Sequence, residues 1–181
     1  MAKKVVFILG GVRSGKSRFA QELAKKLGQK VLFVATGQAL DEEMKARIEE
    51  HKKVRPSSWR TLELSNNVGK GIKARVRDAE VVIVDCLTLL VSNLLKNGAN
   101  YPEAEKRVLT EIESLISCLG IIPATFIIVS NEVGMGIVPK NKLARLYRDL
   151  LGKVNQLIAE KADEIYLMVA GIAVRIEDYE K

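Results

Sequence analysis

The sequence predicts an α/β fold with a mostly parallel sheet, on three observations. Short β-rich apolar runs recur along the chain, segments of helical period separate them, and the runs are apolar throughout rather than alternating. A strand buried on one face alternates apolar with polar; a continuous run needs cover on both faces, which crossover helices supply. Such crossovers are right-handed, and ligands bind beyond the carboxyl ends of the strands. The 181 residues suit one domain with a sizeable core, spanning 1–181.

Each element follows from its own pattern. KVVFIL (4–9) is a strand, and residues 16–27 a helix. KVLFVA (30–35) is a strand, and 41–53 a helix that Asp41 can cap. TLEL (61–64) is a short strand before a helix at 67–77. EVVIVD (80–85) is a strand, followed by helices at 87–95 and 102–119; KNGANYPE (96–103) is the loop expected to be most mobile. ATFIIVS (124–130) is a strand, and 140–162 a long helix with Leu143, Leu146, Leu150, Val154, Leu157 and Ile158 on one stripe. EIYLMVA, Gly171 and AVRI read as a strand pair that closes the sheet antiparallel.

Composition bounds the function. The chain is 48% hydrophobic and 28% charged, and no apolar run approaches the roughly 20 residues of a membrane span. The amino-terminal lysines and short apolar run resemble a weak signal peptide, but the run ends in a glycine loop and no small-residue cleavage site follows, so a cytoplasmic protein is expected. The net charge of +7 fits simple solubility or an anionic partner. Aromatics at 5% are too few for a base-stacking platform and the lysines are dispersed, which argues against nucleic acid. Cys86 and Cys118 form no C-x-x-C, and one histidine cannot build a His/Cys metal cluster; both thiols are expected buried and reduced.

The strongest motif is Gly10, Gly11, Val12, Arg13, Ser14, Gly15, Lys16 and Ser17. It fits G-x-x-x-x-G-K-[ST] between a strand and a helix, the phosphate-binding P-loop. Glycines let backbone N–H groups curl round phosphate oxygens, and the helix aims its positive end at them. Lys16 then reaches the β- and γ-phosphates, and the Ser17 hydroxyl is placed to ligate Mg²⁺. Asp85, ending EVVIVD, stands where a Walker B carboxylate holds that ion. No N-K-x-D base-reading motif is present, so the motifs specify a nucleoside triphosphate but not its base.

The single histidine, His51, follows Met44 by seven residues and Ile48 by three, on one helical stripe. Spacing alone suits a half-buried packing residue. Its neighbours Arg47, Lys52, Lys53 and Arg55 form a cationic setting able to gather a triphosphate, or else a solvated face. Weaker candidates stand at other strand ends and on the long helix. Asn131 and Glu132 follow the fifth strand, with Glu132 either polarising a hydroxyl, helping to bind metal, or pinning the glycines after it. Arg145 and Arg148 reach phosphates or form surface pairs. Trp59 fits core better than ligand contact.

Beyond these motifs, VATGQALDEEMKARIEEHKKVRP, WRTLE, VDCLTLLVSNLL, VSNEVGMGIVPKNKLARLYRDLLGKVNQ and ADEIYLMVAGIAVRI run through nearly the whole chain. Together they resemble the bifunctional adenosylcobinamide kinase/adenosylcobinamide-phosphate guanylyltransferase family of cobalamin biosynthesis. The resemblance implies a three-layer, RecA-like P-loop fold, a homotrimer, and two reactions. A nucleoside triphosphate, ATP or GTP, phosphorylates adenosylcobinamide; GTP then guanylylates the product. It implies His51 as covalent GMP carrier. Nucleotide contacts are implied at the P-loop, at Ala35, Thr36 and Gly37, at Lys52, Lys53, Val54 and Arg55, and at Glu63 and Asp85. Departures are Gly37-Gln38, where Ala-Glu or Ser-Gln is common, and Glu50, where some members carry a second histidine. Two other functions fit the P-loop without His51 chemistry: a small-molecule kinase lacking nucleotidyl transfer, and a nucleotide-binding regulatory or nucleic-acid ATPase.

Overall fold

A computed structural model describes residues 3–39, 41–95 and 100–177, apart from the side chain of Arg47. Seven strands form one sheet: β1 (Val5–Gly10), β2 (Val31–Ala35), β3 (Arg60–Glu63), β4 (Val81–Asp85), β5 (Thr125–Val129), β6 (Glu164–Val169) and β7 (Ile172–Ile176). Their order is β3-β2-β4-β5-β1-β6-β7, every pairing parallel except β6 with β7. The expected parallel sheet and antiparallel closing strand are both present.

Residues of each central strand alternate between two cores. Val5 and Phe7, Leu32 and Val34, Val82 and Val84, and Phe126 and Ile128 face one side. There they meet α3 (Val68–Arg75), α4 (Leu87–Leu94), α5 (Tyr101–Ile121) and α6 (Lys142–Ala159). Val6 and Ile8, Val31 and Phe33, Val81 and Ile83, and Ile127 and Val129 face the other, against Ala20 and Ala24 of α1 (Lys16–Leu27). Trp59 packs on this second core, as expected. Three apolar residues of α4 also go to the core: Leu87, Leu90 and Val91 are buried.

Several boundaries moved for physical reasons. The third helix stops at Arg75 rather than 77, because Arg77 takes φ 49°. Its start is capped from a distance: Glu111 of α5 accepts the Asn67 and Val68 amides at 2.8 and 2.7 Å. α6 begins at Lys142 because Asn141 accepts the Leu143 and Ala144 amides. Leu150, Val154 and Ile158 of its stripe are buried, but Leu143 is exposed. Residues 96–99 of the expected loop lie outside the described residues; Asn100 then caps α5 through Glu103 N–H. Among the described residues, no helix is long and apolar enough to cross a membrane.

The register decides where chemistry can occur. Glu63 pairs with Ala35, Ala35 with Asp85, and Asp85 with Val129, so four parallel strands end in one row. The P-loop leaves β1 on the same edge.

Candidate active site

The P-loop is wrapped round its own lysine. Lys16 is buried, and its ammonium donates to the Gly11 carbonyl at 2.6 Å, closing the loop as a ring. Burial pushes its pKa below the ordinary lysine value, with Cys86 and Asp85 pulling the other way. Gly10 has φ +153°, and a Cβ there would stand 2.6 Å from the Met168 carbonyl oxygen of β6. α1 starts at Gly15 with no side-chain cap, leaving its first N–H groups to an anion.

Asp85 is the point where the separate parts meet. Its carboxylate accepts a hydrogen bond from the Ser17 hydroxyl and feels the charges of His51, Arg55 and Lys16. Burial raises its pKa, and these four groups oppose that rise. The chain just beyond is fixed by Thr36. Its hydroxyl donates to the Cys86 carbonyl at 2.7 Å and accepts the Cys86 amide at 2.9 Å. Thr36 is fully buried, so it braces the site and takes no place on the cavity wall.

A cavity of about 1070 Å³ opens above the row of strand ends. Val12, Arg13, Ser14, Gly15, Lys16 and Ser17 line it, as do Ala35, Gly37, His51, Lys52, Arg55, Glu63 and Asp85. Lys53 and Val54 are exposed but do not line it, and Gly10 and Gly11 form the loop behind it. Arg18, the residue after the P-loop, also lines it, as do Lys45, Ser65, Thr88 and Leu89, which no motif in their local sequence marks.

His51 sits in the last turn of α2 (Glu42–Lys53), which Asp41 caps through the Met44 amide at 2.7 Å. The packing role that spacing alone suits does not hold: Met44 and Ile48 are half-buried, whereas His51 is exposed on the cavity rim. The neighbouring cations divide. Lys52 pairs with Glu63 at 2.9 Å and Glu49 at 3.5 Å. The Arg55 guanidinium lies 3.9 Å from the Phe33 ring centroid. Its buried Nε finds no partner among the described residues, leaving a donor for a ligand.

The other candidates divide between structure and the cavity wall. Arg145 donates to the Pro139 and Lys140 carbonyls, and Arg148 lies 3.5 Å from Asp149; neither lines the cavity. Glu132 accepts the Gly134 amide, pinning the glycine loop. Asn131 does line the cavity, its amide donating to the Thr88 hydroxyl. Of the two free thiols, Cys118 is buried as expected, but Cys86 is only partly so and reaches the cavity wall, its pKa raised to about 11 by burial and by Asp85. Among the described residues, no group of His, Cys, Asp and Glu forms a metal cluster.

Residues 6–176 match the model of a family described as cobinamide kinase / cobinamide phosphate guanyltransferase. The chain is 44% identical over 181 residues to the bifunctional adenosylcobalamin biosynthesis protein CobU of Escherichia coli (strain K12), covering 96% of this chain and 99% of that protein. The protein of the same name from Salmonella typhimurium gives the same identity and coverage. The bifunctional adenosylcobalamin biosynthesis protein CobP of Pseudomonas aeruginosa is 42% identical over 170 residues, covering 94% of this chain and 95% of that protein. With likeness of this extent laid over a P-loop, a strand-end aspartate and a rim histidine, the chain belongs to the cobinamide kinase/cobinamide phosphate guanyltransferase family.

Proposed function

We propose that this chain, as one catalytic domain over 1–181, phosphorylates adenosylcobinamide from a nucleoside triphosphate and then transfers GMP from GTP to the phosphate it has made. One observation carries the reading: Lys16, Ser17, Asp85 and His51 border a single cavity at the carboxyl edge of the sheet. One triphosphate site then serves both reactions.

In the kinase step the substrate hydroxyl attacks the γ-phosphorus: an O–P bond forms, the bond to the β-phosphate oxygen breaks, the nucleoside diphosphate leaves and the hydroxyl proton passes to solvent, while the P-loop amides and Lys16 stabilise charge spreading over the phosphoryl oxygens. In the second step an imidazole nitrogen of His51 attacks the α-phosphorus of GTP through its lone pair. A P–N bond forms, the bond to the β-phosphate oxygen breaks, and pyrophosphate leaves into the P-loop while the ring loses its proton to solvent. An oxygen of adenosylcobinamide phosphate next attacks the same phosphorus, the P–N bond breaks, the departing imidazole takes a proton back from solvent, and adenosylcobinamide-GDP forms.

The Ser17 hydroxyl and the Asp85 carboxylate beside it are hard oxygen donors of the kind Mg²⁺ shares with phosphates and water. These two residues would hold it, and the bound ion supplies neutralising charge at the phosphate oxygens. Ile172, Val174 and Ile176, exposed on one face of the β7 edge strand, support the expected homotrimer. A cytoplasmic location suits the free thiols.

The test is retention of label. Protein incubated with α-labelled GTP and Mg²⁺, then denatured, should keep an acid-labile, alkali-stable label that His51→Ala lacks. Wild-type protein with no label would remove the guanylyltransferase reading and leave a small-molecule kinase. The His51→Ala variant should keep its kinase turnover, because γ-transfer uses no imidazole.

A further inference from the structure

The segment after β5 presents aliphatic side chains to solvent beside the phosphate site. Met135 is 83% exposed, Ile137 97% and Val138 60%. Contiguous exposed aliphatics of this kind mark ligand or protein contact surfaces.

The loop is built to hold them out. At its start, the Glu132 amide donates to the Gly10 carbonyl at 3.1 Å, the Gly134 amide donates to the Glu132 carboxylate, and Asn155 donates to the Asn131 carbonyl at 3.1 Å. At its end, Arg145 donates to the Pro139 and Lys140 carbonyls at 3.0 and 2.6 Å. Both roots are fastened, one of them to the P-loop itself.

Position selects the occupant. β5 is an interior strand, so this loop stands over the reacting edge, whereas the aliphatic row of β7 lies on the sheet's outer edge. Asn131 lines the cavity, and Met135 is four residues on, within ~14 Å of that wall at full extension. The P-loop, Lys52, Arg55 and Asp85 make the cavity wall suited to a polyphosphate. A cavity of about 1070 Å³ takes a nucleotide and the tip of an acceptor arm, but not a whole macrocycle as well.

We propose that Met135, Ile137 and Val138 form the platform for the corrin macrocycle of cobinamide, a broad ring edged with methyl groups, while its hydroxyl-bearing arm enters the cavity. The proposal rests on the reaction assigned above. None of the three side chains lines the cavity that the P-loop and His51 border.

The experiment compares the full-length Met135→Ser/Ile137→Ser variant with wild type in three measurements: retention of label from α-labelled GTP without corrinoid, the kinase KM for cobinamide, and mass by light scattering. Label retention and mass should be unchanged, and the cobinamide KM should rise at least about tenfold with kcat at saturation preserved. The Met135→Leu/Ile137→Val variant should return the KM to near wild type. An unchanged cobinamide KM overturns the platform. A drop in mass assigns the loop to contact between copies, and lost label retention assigns it to the nucleotide; either result also overturns the proposal. Wild-type protein that neither retains label nor phosphorylates cobinamide defeats the reaction assignment itself, and the platform with it.

Discussion

The Gly171 amide donates to the Ser14 carbonyl at 3.0 Å, tying the closing hairpin to the phosphate loop. Val169 pairs with Ile172 across a two-residue turn in which Ala170 has φ 50° and Gly171 φ 82°. Two positive φ values are what a type I′ hairpin turn requires. Met168, just before the turn, offers the carbonyl that keeps a Cβ away from Gly10. The P-loop therefore leans on the last two strands of the chain.

Gly171→Ala places a side chain in left-handed backbone, at a cost of about 1 kcal/mol, and disturbs the amide that holds Ser14. GTP affinity measured by calorimetry should weaken severalfold. Ala170→Gly is the control: it relieves the same strain next door and should keep GTP affinity while raising the urea midpoint. Wild-type affinity in Gly171→Ala would mean that the loop holds its shape without the hairpin.

Lys16→Ala should lower both kinase turnover and guanylylation by roughly 10²–10³. Both reactions draw on the same triphosphate grip, so the two losses should run together. Intact guanylylation in this variant would require a second nucleotide site.

Thr36→Val keeps the side-chain volume but strips the hydroxyl that serves both the Cys86 amide and carbonyl. Leaving those groups unpaired in a buried place should cost about 2 kcal/mol in urea unfolding. Thr36→Ser should recover most of the loss; a Val variant as stable as wild type would show that the hydroxyl braces nothing.

Glu164→Gln tests a pH dependence. The Lys4 ammonium, 2.8 Å away, holds the Glu164 carboxyl below its ordinary range, with Tyr166 helping against partial burial. A depressed carboxylate adds stability above its unfolded-state pKa and loses it as pH falls through the folded-state value. Wild type should exceed the variant by ~0.5 kcal/mol near neutrality, a surface-pair magnitude, and the gap should close on acidification below about pH 4. A gap that widened toward acid would contradict the assigned pairing.

Much of this molecule is legible in the sequence where the signal is local. Residues 16–27 form a helix with both ends as expected, and the P-loop, Asp85 and the antiparallel closing pair lie where the pattern puts them. What was missed depends on partners distant in sequence. Glu111 caps a helix from 43 residues away, and no local pattern announces that bond. The resemblance implies Thr36 as a nucleotide contact; that its hydroxyl bonds a backbone fifty residues along is beyond any local pattern. Helical period places His51 beside Met44 and Ile48, but period cannot say that the stripe borders a cavity instead of a core. Lys45 and Ser65 reach that cavity only because the sheet order brings their segments beside the P-loop.

Only Met44 and Ile48 of α2's described side chains are even half-buried, whereas β4 keeps Val81, Val82, Ile83 and Val84 fully enclosed. Helix α2 can thus open at a small fraction of the global unfolding free energy. Its amides should exchange with deuterium through local opening while those of β4 wait for global unfolding. Mild denaturant should then silence guanylyl transfer, which depends on the histidine of α2, at concentrations where the sheet still grips its triphosphate.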